Sequence, residues 1–293
     1  MAWKRRDPMH FKETEMKIEA INQHAEVPEE DRDAQSPAAV DRDFVTALAR
    51  GLEVLRCFSR NASSLGPTEV AQMSGLPKST VTRLIHTLTT LDYLSYLPDN
   101  GKYRLGPAML TLNTTPREQI DVREIARPLM QELAASTGAQ VALVTRDQLS
   151  MLYLETFRGQ SLVTLNLSVG SRIPLAVTAG GRAYLAGLPA PERANLLERL
   201  RSLDEHAWLT LEPKIQASLD EYAETGCCSS LGDWVRQIHG LAVPLALGPG
   251  VPLMALSVAG VADLYPAEKM IDEIRPKLLA LARAIEARAG RRN

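Results

Sequence analysis

The sequence predicts two folded units behind a charged arm: a small helical unit closed by a β hairpin, then a larger α+β unit. Three observations predict this division. Apolar residues at helical spacing begin only at Phe44; short helical and strand-like runs crowd residues 43–110; and beyond residue 121, strands joined by turns alternate with separate blocks of helix. A hydrophobic fraction of 45% over 293 residues is enough to build two ordinary cores.

Residues 1–42 mix charge with Pro28, Pro37 and few large apolar groups, a composition that reads as an arm unable to fold alone. Residues 1–43 carry a net charge of −4, residues 44–110 carry +3 and the remainder −1. The overall −2 therefore hides one short basic segment. From Phe44 onward, Val45, Leu48, Leu52, Leu55 and Phe58 recur at three- and four-residue steps and mark the buried face of a first helix. Pro67-Thr68-Glu69 opens a second helix, with proline and an acid suited to its first turn. Ser74-Gly75-Leu76-Pro77 turns the chain into a third helix, from Lys78 to about Leu91. That helix is expected to bury Val81, Leu84, Ile85, Leu88 and Leu91 and to display Ser79, Thr80, Thr82, Arg83, His86 and Thr87. Two helices joined by a four-residue turn with glycine form a helix-turn-helix. Two strand-like runs around Pro98-Asp99-Asn100-Gly101 then make a hairpin, which reads as the wing of a winged helix-turn-helix.

Residues 111–120 read as a linker, with Asn113-Thr114-Thr115-Pro116 as connector. A helix over 120–136, interrupted at Pro128, opens the second unit at residue 121. Strands are expected over 140–145, 151–156 and 162–167, and helices over 179–186, 191–201 and 213–225. A strand pair over 238–247 and 253–260 follows, then a helix over 266–289 kinked near Pro276. Strands adjacent in sequence and helices in blocks predict an antiparallel α+β domain.

The third helix carries the chemistry of the first unit. Lys78, Ser79, Thr80 and Thr82 lie in its first turn and a half, where they can reach phosphates or base edges of double-stranded DNA. Arg83 has the fork for a bidentate contact to guanine, and His86 lies about one turn further along the same side. Thr68, Lys102, Tyr103 and Arg104 complete the expected DNA-binding set; Lys102 and Arg104, on the wing, would meet backbone or minor groove. A face rich in Ser and Thr is by itself only a solvated surface; the preceding helix, the glycine turn and the basic wing together favour DNA.

Other motifs are weaker. Residues 240–262 carry no formal charge and are long enough to span a bilayer, but Pro244, Pro249 and Pro252 divide them into two buried strands. Residues 1–10 are charged and give no secretory signal, and Cys57, Cys227 and Cys228 make no disulfide framework, so the cytoplasm is the expected setting. Cys227-Cys228 reads as buried small residues rather than a redox or metal pair. His206 and His239 are isolated, and no Gly-x-Ser-x-Gly turn occurs. No cofactor, metal or catalytic residue is expected.

Thr68-Glu69-Val70-Ala71, Gly75-Leu76-Pro77-Lys78-Ser79-Thr80-Val81 and Tyr103-Arg104-Leu105-Gly106 resemble the isocitrate-lyase-regulator (IclR) family. The likeness continues through Gly170-Ser171-Arg172-Ile173-Pro174, Thr178-Ala179-Gly180-Gly181-Arg182-Ala183 and Gly240-Leu241-Ala242-Val243-Pro244, and covers about residues 44–290. The resemblance implies a winged helix-turn-helix, a linker helix and a GAF-like effector-binding domain, assembled as homodimers or homotetramers. It also implies regulation of transcription in the catabolism of aromatic acids and small carboxylates. An effector pocket would be lined by Ala179, Gly180, Ser230, Asp233, Gly240, Ser257 and Ala259. Where family members that take glyoxylate or pyruvate have an aspartate, a cysteine and a second serine, this chain has Ser230, Gly240 and Ala259. Those residues enlarge the pocket and suit an aromatic acid better than a two-carbon acid, with glycine-loop amides for the anion. Two readings of another kind stand beside this one. One is a metabolite-converting enzyme with an accessory helical module, for which no acid/base or nucleophile cluster is visible. The other is a nonspecific architectural DNA binder, for which the large second domain has no use.

Overall fold

A computed structural model of the chain describes residues 44–58, 64–112, 122–160, 165–248 and 250–290. They fall into two compact units, one within residues 33–120 and one within 121–293. The expected arm, most of the linker and the connector at Asn113–Pro116 lie outside the described residues.

The first unit runs α1 (Thr46–Cys57), α2 (Pro67–Ser74), α3 (Lys78–Thr90), β1 (Leu94–Leu97), β2 (Lys102–Leu105) and α4 (Ala108–Leu112). Proline opens α2, and the Glu69 carboxylate accepts the Gly66 amide at 2.6 Å, so its first turn is satisfied from within. Gly75 ends α2 in the left-handed region, with φ +65°, which turns the chain directly into α3. β1 and β2 pair antiparallel from Leu94↔Leu105 to Leu97↔Lys102, and a bridge between Leu65 and Tyr103 widens the wing. Val54, Cys57, Phe58, Leu65, Val70, Val81, Ile85 and Leu94 form the core.

Two helices differ from expectation. The α1 stripe expected inside faces out: Val45, Leu48 and Leu52 are 60%, 61% and 52% exposed, Leu55 is half-buried, and only Phe58 is buried. The helix packs instead through Gly51, Val54 and Cys57, whose small side chains allow close approach to α2 and α3. Leu91, expected in the α3 stripe, is exposed because α3 stops at Thr90 and Leu91 leaves the helical face.

The second unit runs α5 (Val122–Thr137), β3 (Gln140–Asp147), β4 (Ser150–Phe157), β5 (Arg172–Pro174), α6 (Ala179–Gly187), α7 (Ala190–Arg201), α8 (Glu205–Thr225), β6 (Cys228–Leu231), β7 (Ile238–Leu245) and β8 (Met254–Val261). A last helix, α9 (Arg275–Gly290), is entered through a short turn at Ala267–Lys269 and a π-helical turn at Met270–Ile274. The strands form one antiparallel sheet in the order β5-β4-β3-β8-β7-β6. Residues 240–262, uncharged throughout, therefore make the β7–β8 hairpin, and no described helix is long and apolar enough to cross a membrane. One sheet face carries Ala142, Val144, Met151, Tyr153, Ala242 and Ala255 and packs against α6 to α8. The alternate residues Val141, Leu143, Val243, Leu256 and Val258 are also buried, under α5 and α9.

Several boundaries differ from expectation. No strand covers 165–167; residues 161–164 lie outside the description, and the edge strand is Arg172–Pro174. The edge strand Cys228–Leu231 was not expected, its two central serines giving no apolar alternation. α8 begins at Glu205, before Pro213, because Asp204 caps it by accepting the Ala207 amide at 2.8 Å. α5 passes through Pro128 without interruption. In the last helix, Pro276 crowds the carbonyl four residues back, and the π-helical turn that contains that residue widens the helix there.

Candidate nucleic-acid interface and ligand cavity

The outer face of α3 is open. Lys78, Ser79, Thr82, Arg83 and His86 are exposed and Thr80 half-buried. No carboxylate sits on this helix, and Arg83 and His86 have no side-chain partner among the described residues. Thr82 donates to the Lys78 carbonyl at 2.9 Å and Thr87 to that of Arg83 at 3.1 Å, so these hydroxyls keep only their acceptor capacity. Thr68 is exposed on the first turn of α2.

On the wing the three expected residues separate. Arg104 is exposed, whereas Lys102 is ion-paired to Glu69 at 2.9 Å. The Gly66 amide and Lys102 together hold the Glu69 carboxyl below the usual carboxylate range. Tyr103 is half-buried: its backbone bridges Leu65 and its ring tilts against Tyr96 at 5.1 Å between centroids. Tyr103 thus holds the wing to the core as well as standing near the expected interface.

In the second unit the sheet register assembles a cavity. Ser230 pairs with Gly240, Gly240 with Ala259, and in the next row Ser257 pairs with Ala142 and Ala242. Directly opposed residues project to one face, so these small side chains leave a hollow under α6. α6 enters it end-on: Thr178 caps the helix by accepting the Gly181 amide, and Ala179 and Gly180 follow. Gly181 permits this docking, because a Cβ there would overlap the Leu175 carbonyl. The hollow opens to solvent, and the part of it that water-sized spheres can occupy is about 30 Å³. Ala179, Gly180, Ser230, Gly240, Ser257 and Ala259, six of the seven residues singled out in the sequence, all line it.

Asp233 does not line it. Its carboxylate pairs with Arg182 and Lys214, each at 2.8 Å. Partial burial raises the Asp233 carboxyl, but hydrogen bonds from Lys214 and Arg182 outweigh this and hold it below the usual range. The neighbouring Trp234 does line the cavity, as do Tyr153, Leu165, Leu167, Ile173, Thr178, Ile238, Leu241 and Val258. Ile173, Thr178 and Leu241 fall in motifs quoted from the sequence, but none of these residues was assigned to the pocket there, because apolar residues look alike whichever face they serve.

The lining contains no charged side chain. Ser230 donates to the Val177 carbonyl at 2.8 Å and Ser257 to that of Ala142 at 3.4 Å, so their protons are committed. The Ala179 and Gly180 amides at the start of α6 carry no hydrogen bond among the described residues. What this wall offers an anion is therefore backbone N–H at a helix N-terminus, inside an apolar and aromatic slot. Elsewhere, burial pushes the Cys227 thiol up to about 12 and raises that of Cys228 as well, and no metal-holding cluster occurs among the described residues.

Residues 116–287 match the C-terminal domain of IclR bacterial transcriptional regulators, and residues 47–98 match the IclR helix-turn-helix domain. The chain is 33% identical over 247 residues to the HTH-type transcriptional regulator TsaQ1/TsaQ2 of Comamonas testosteroni, covering 83% of this chain and 88% of that protein. It is similar to the crystal structure of an IclR-family transcriptional regulator from Brucella abortus at 39% identity, with a TM-score of 0.72, over 85% of this chain and 94% of that one. An IclR homologue of Microbacterium hydrocarbonoxydans, solved in complex with 4-hydroxybenzoate, shares the fold at 22% identity and a TM-score of 0.66, over 84% of this chain and 99% of that one.

Proposed function

Because the chain belongs to the IclR family of DNA-binding transcription regulators, we propose that it reads an operator through α3 and the wing and is modulated by an aromatic carboxylate held in the cavity. The family is one of regulators, not enzymes, which sets aside the metabolite-converting alternative. In this reading Lys78, Ser79, Thr80, Thr82, Arg83 and His86 meet the major groove, and Thr68, Lys102, Tyr103 and Arg104 meet the backbone. Residues 43–110 act as the DNA-binding part, 111–120 as linker and 121–293 as the effector-binding part.

One observation carries the effector class: an uncharged cavity with Tyr153 and Trp234 in its wall, and the open amides of Ala179 and Gly180 at one end. A small dicarboxylate would find no cation there, whereas an aryl carboxylate finds both an apolar slot and donors for its anion. The 4-hydroxybenzoate complex of the Microbacterium homologue adds support from a protein of the same fold. The chain works as a homodimer or homotetramer in the cytoplasm, and effector binding changes how two recognition helices are spaced on a palindromic site. The exposed apolar stripe of Val45, Leu48 and Leu52 supports self-association.

The test is a titration at fixed salt of DNA upstream of the protein's own gene against a random duplex, with and without benzoate and 4-hydroxybenzoate. A preference of about a thousandfold or more, shifted by either acid, is expected. Equal affinity for both duplexes, or a preference that neither acid moves, would overturn the respective half of the reading.

A further inference from the structure

One buried polar group beside the cavity has no partner. Gln140, the first residue of β3, is 5% exposed, and its Oε1 makes no hydrogen bond. The register sets Gln140 opposite Ala259, which is opposite Gly240, which is opposite Ser230. Gln140 therefore continues, on the same sheet face, the row whose other three members line the cavity. Its Nε2 donates to Thr156 Oγ1 at 2.8 Å and to the Leu167 carbonyl at 2.7 Å, and Leu167 is itself a cavity wall residue.

These two bonds orient the amide. The Leu167 carbonyl can only accept, so it requires the NH2 group and leaves Oε1 as the atom without a partner. A buried amide oxygen without a donor is costly to maintain, and such groups concentrate where a ligand supplies the partner. Across the bulge in β3–β4, Tyr153 stands on this face too, and its hydroxyl has no partner among the described residues. The cavity thus has amide donors at the α6 end and, beside its β3–β4 end and next to the wall residues Leu167 and Ala259, a buried acceptor without a donor.

We propose that Gln140 is a specificity-determining residue: its Oε1 takes the proton of a ring hydroxyl, so the cavity selects hydroxylated aryl carboxylates over unsubstituted ones. The ligand lies with its carboxylate at the Ala179 and Gly180 amides and its hydroxyl between Leu167 and Ala259, against Gln140. Leu167 belongs to a stretch outside strand and helix, and is the side of that wall able to yield. This inference rests on reading the cavity as an aryl-carboxylate site.

Calorimetric titration of the full chain with benzoate, 3-hydroxybenzoate and 4-hydroxybenzoate tests it. At least one hydroxylated acid is expected to bind about tenfold or more tighter than benzoate. Gln140→Leu, close in volume but without an acceptor, should erase that margin while leaving benzoate affinity unchanged. Should that variant fold poorly, Gln140→Met, flexible and also without an oxygen acceptor, should narrow the same margin. Equal binding of all three acids by the unaltered protein overturns the role of Gln140 but leaves the cavity reading standing. The same holds if Gln140→Leu weakens every acid alike, or if only Tyr153→Phe removes the margin. Binding of none of the acids overturns the cavity reading and this inference together.

Discussion

At the scale of single residues, exposure and pairing separate groups that look equivalent in the sequence. Arg83 and Lys102 are both cations on the helix-turn-helix unit, yet Arg83 is exposed without a side-chain partner among the described residues while Lys102 is paired to Glu69. Arg83→Ala should lower the preference for the operator over random DNA by about 10- to 100-fold, equivalent to about 1–3 kcal/mol, with no change in melting temperature. Lys102→Ala should weaken both duplexes alike and flatten the salt dependence, because a phosphate contact carries no sequence information. Binding isotherms at three salt concentrations distinguish the two. The cysteines give a second prediction. Cys57, Cys227 and Cys228 are all buried, and burial pushes the Cys227 thiol up to about 12, so at pH 8 it is protonated and inert. Iodoacetamide followed by mass spectrometry should find none of the three modified in the native protein and all three modified in guanidinium.

At the scale of elements, the segment between β6 and β7 is positioned by one carboxylate. Asp233 binds Arg182 on α6 and Lys214 on α8, and the next residue, Trp234, closes part of the cavity wall. Arg182 is only 3% exposed and its Nη2 has no partner among the described residues, so Asp233 is its charge neutraliser. Asp233→Asn should cost about 1–2 kcal/mol, discounted for the partly exposed carboxyl, and lower the melting temperature by about 2–4 °C. The sign with pH follows from the depressed carboxyl. Its stabilisation is complete above the unfolded value near 4 and is lost as pH falls through the lower folded value. The gap in melting temperature between the two proteins should stay constant from pH 7 to about 5 and close below about 4, which a pH series of thermal melts checks. The same element shows what a motif conveys. Thr178-Ala179-Gly180-Gly181 pointed to the cavity through the resemblance to the IclR family, and in the structure it serves as a helix cap and a close approach at Gly181. Asp233 was expected in that cavity and stands behind it, because its partners lie 51 and 19 residues away in the chain.

At the scale of the whole molecule, α1 carries an apolar face that its own unit does not cover. Phe44, Val45, Leu48 and Leu52 are each more than half exposed, and buried large side chains are the norm for a helix of this composition. In the proposed assembly this stripe meets a second copy. Leu48→Glu with Leu52→Glu should then shift the molecular mass measured by light scattering toward the monomer and weaken operator binding. The melting temperature of the DNA-binding unit should change little, since neither side chain packs inside it. An unchanged mass would remove α1 from the assembly surface.

The sequence by itself determined the two units, the glycine turn between α2 and α3, the wing, the antiparallel α+β character and six residues of the cavity wall. All but the cavity residues follow from periodicity, caps and turns, which are settled by side chains a few positions apart; the cavity residues came from the resemblance to the IclR family. Only the tertiary structure decided which face of α1 packs inward, since that helix has apolar residues on two sides and small ones proved the better fit. It alone decided that the sheet ends at Arg172–Pro174 and Cys228–Leu231, short edge strands held by their neighbours rather than by their own propensity. The pairing of Lys102 with Glu69 and of Asp233 with Arg182 belongs to the same class. So does the unpaired oxygen of Gln140, because register across β3, β8, β7 and β6 joins residues more than a hundred positions apart. Hydrogen bonding and burial at such separations depend on how the whole sheet closes, and no window of sequence contains that information.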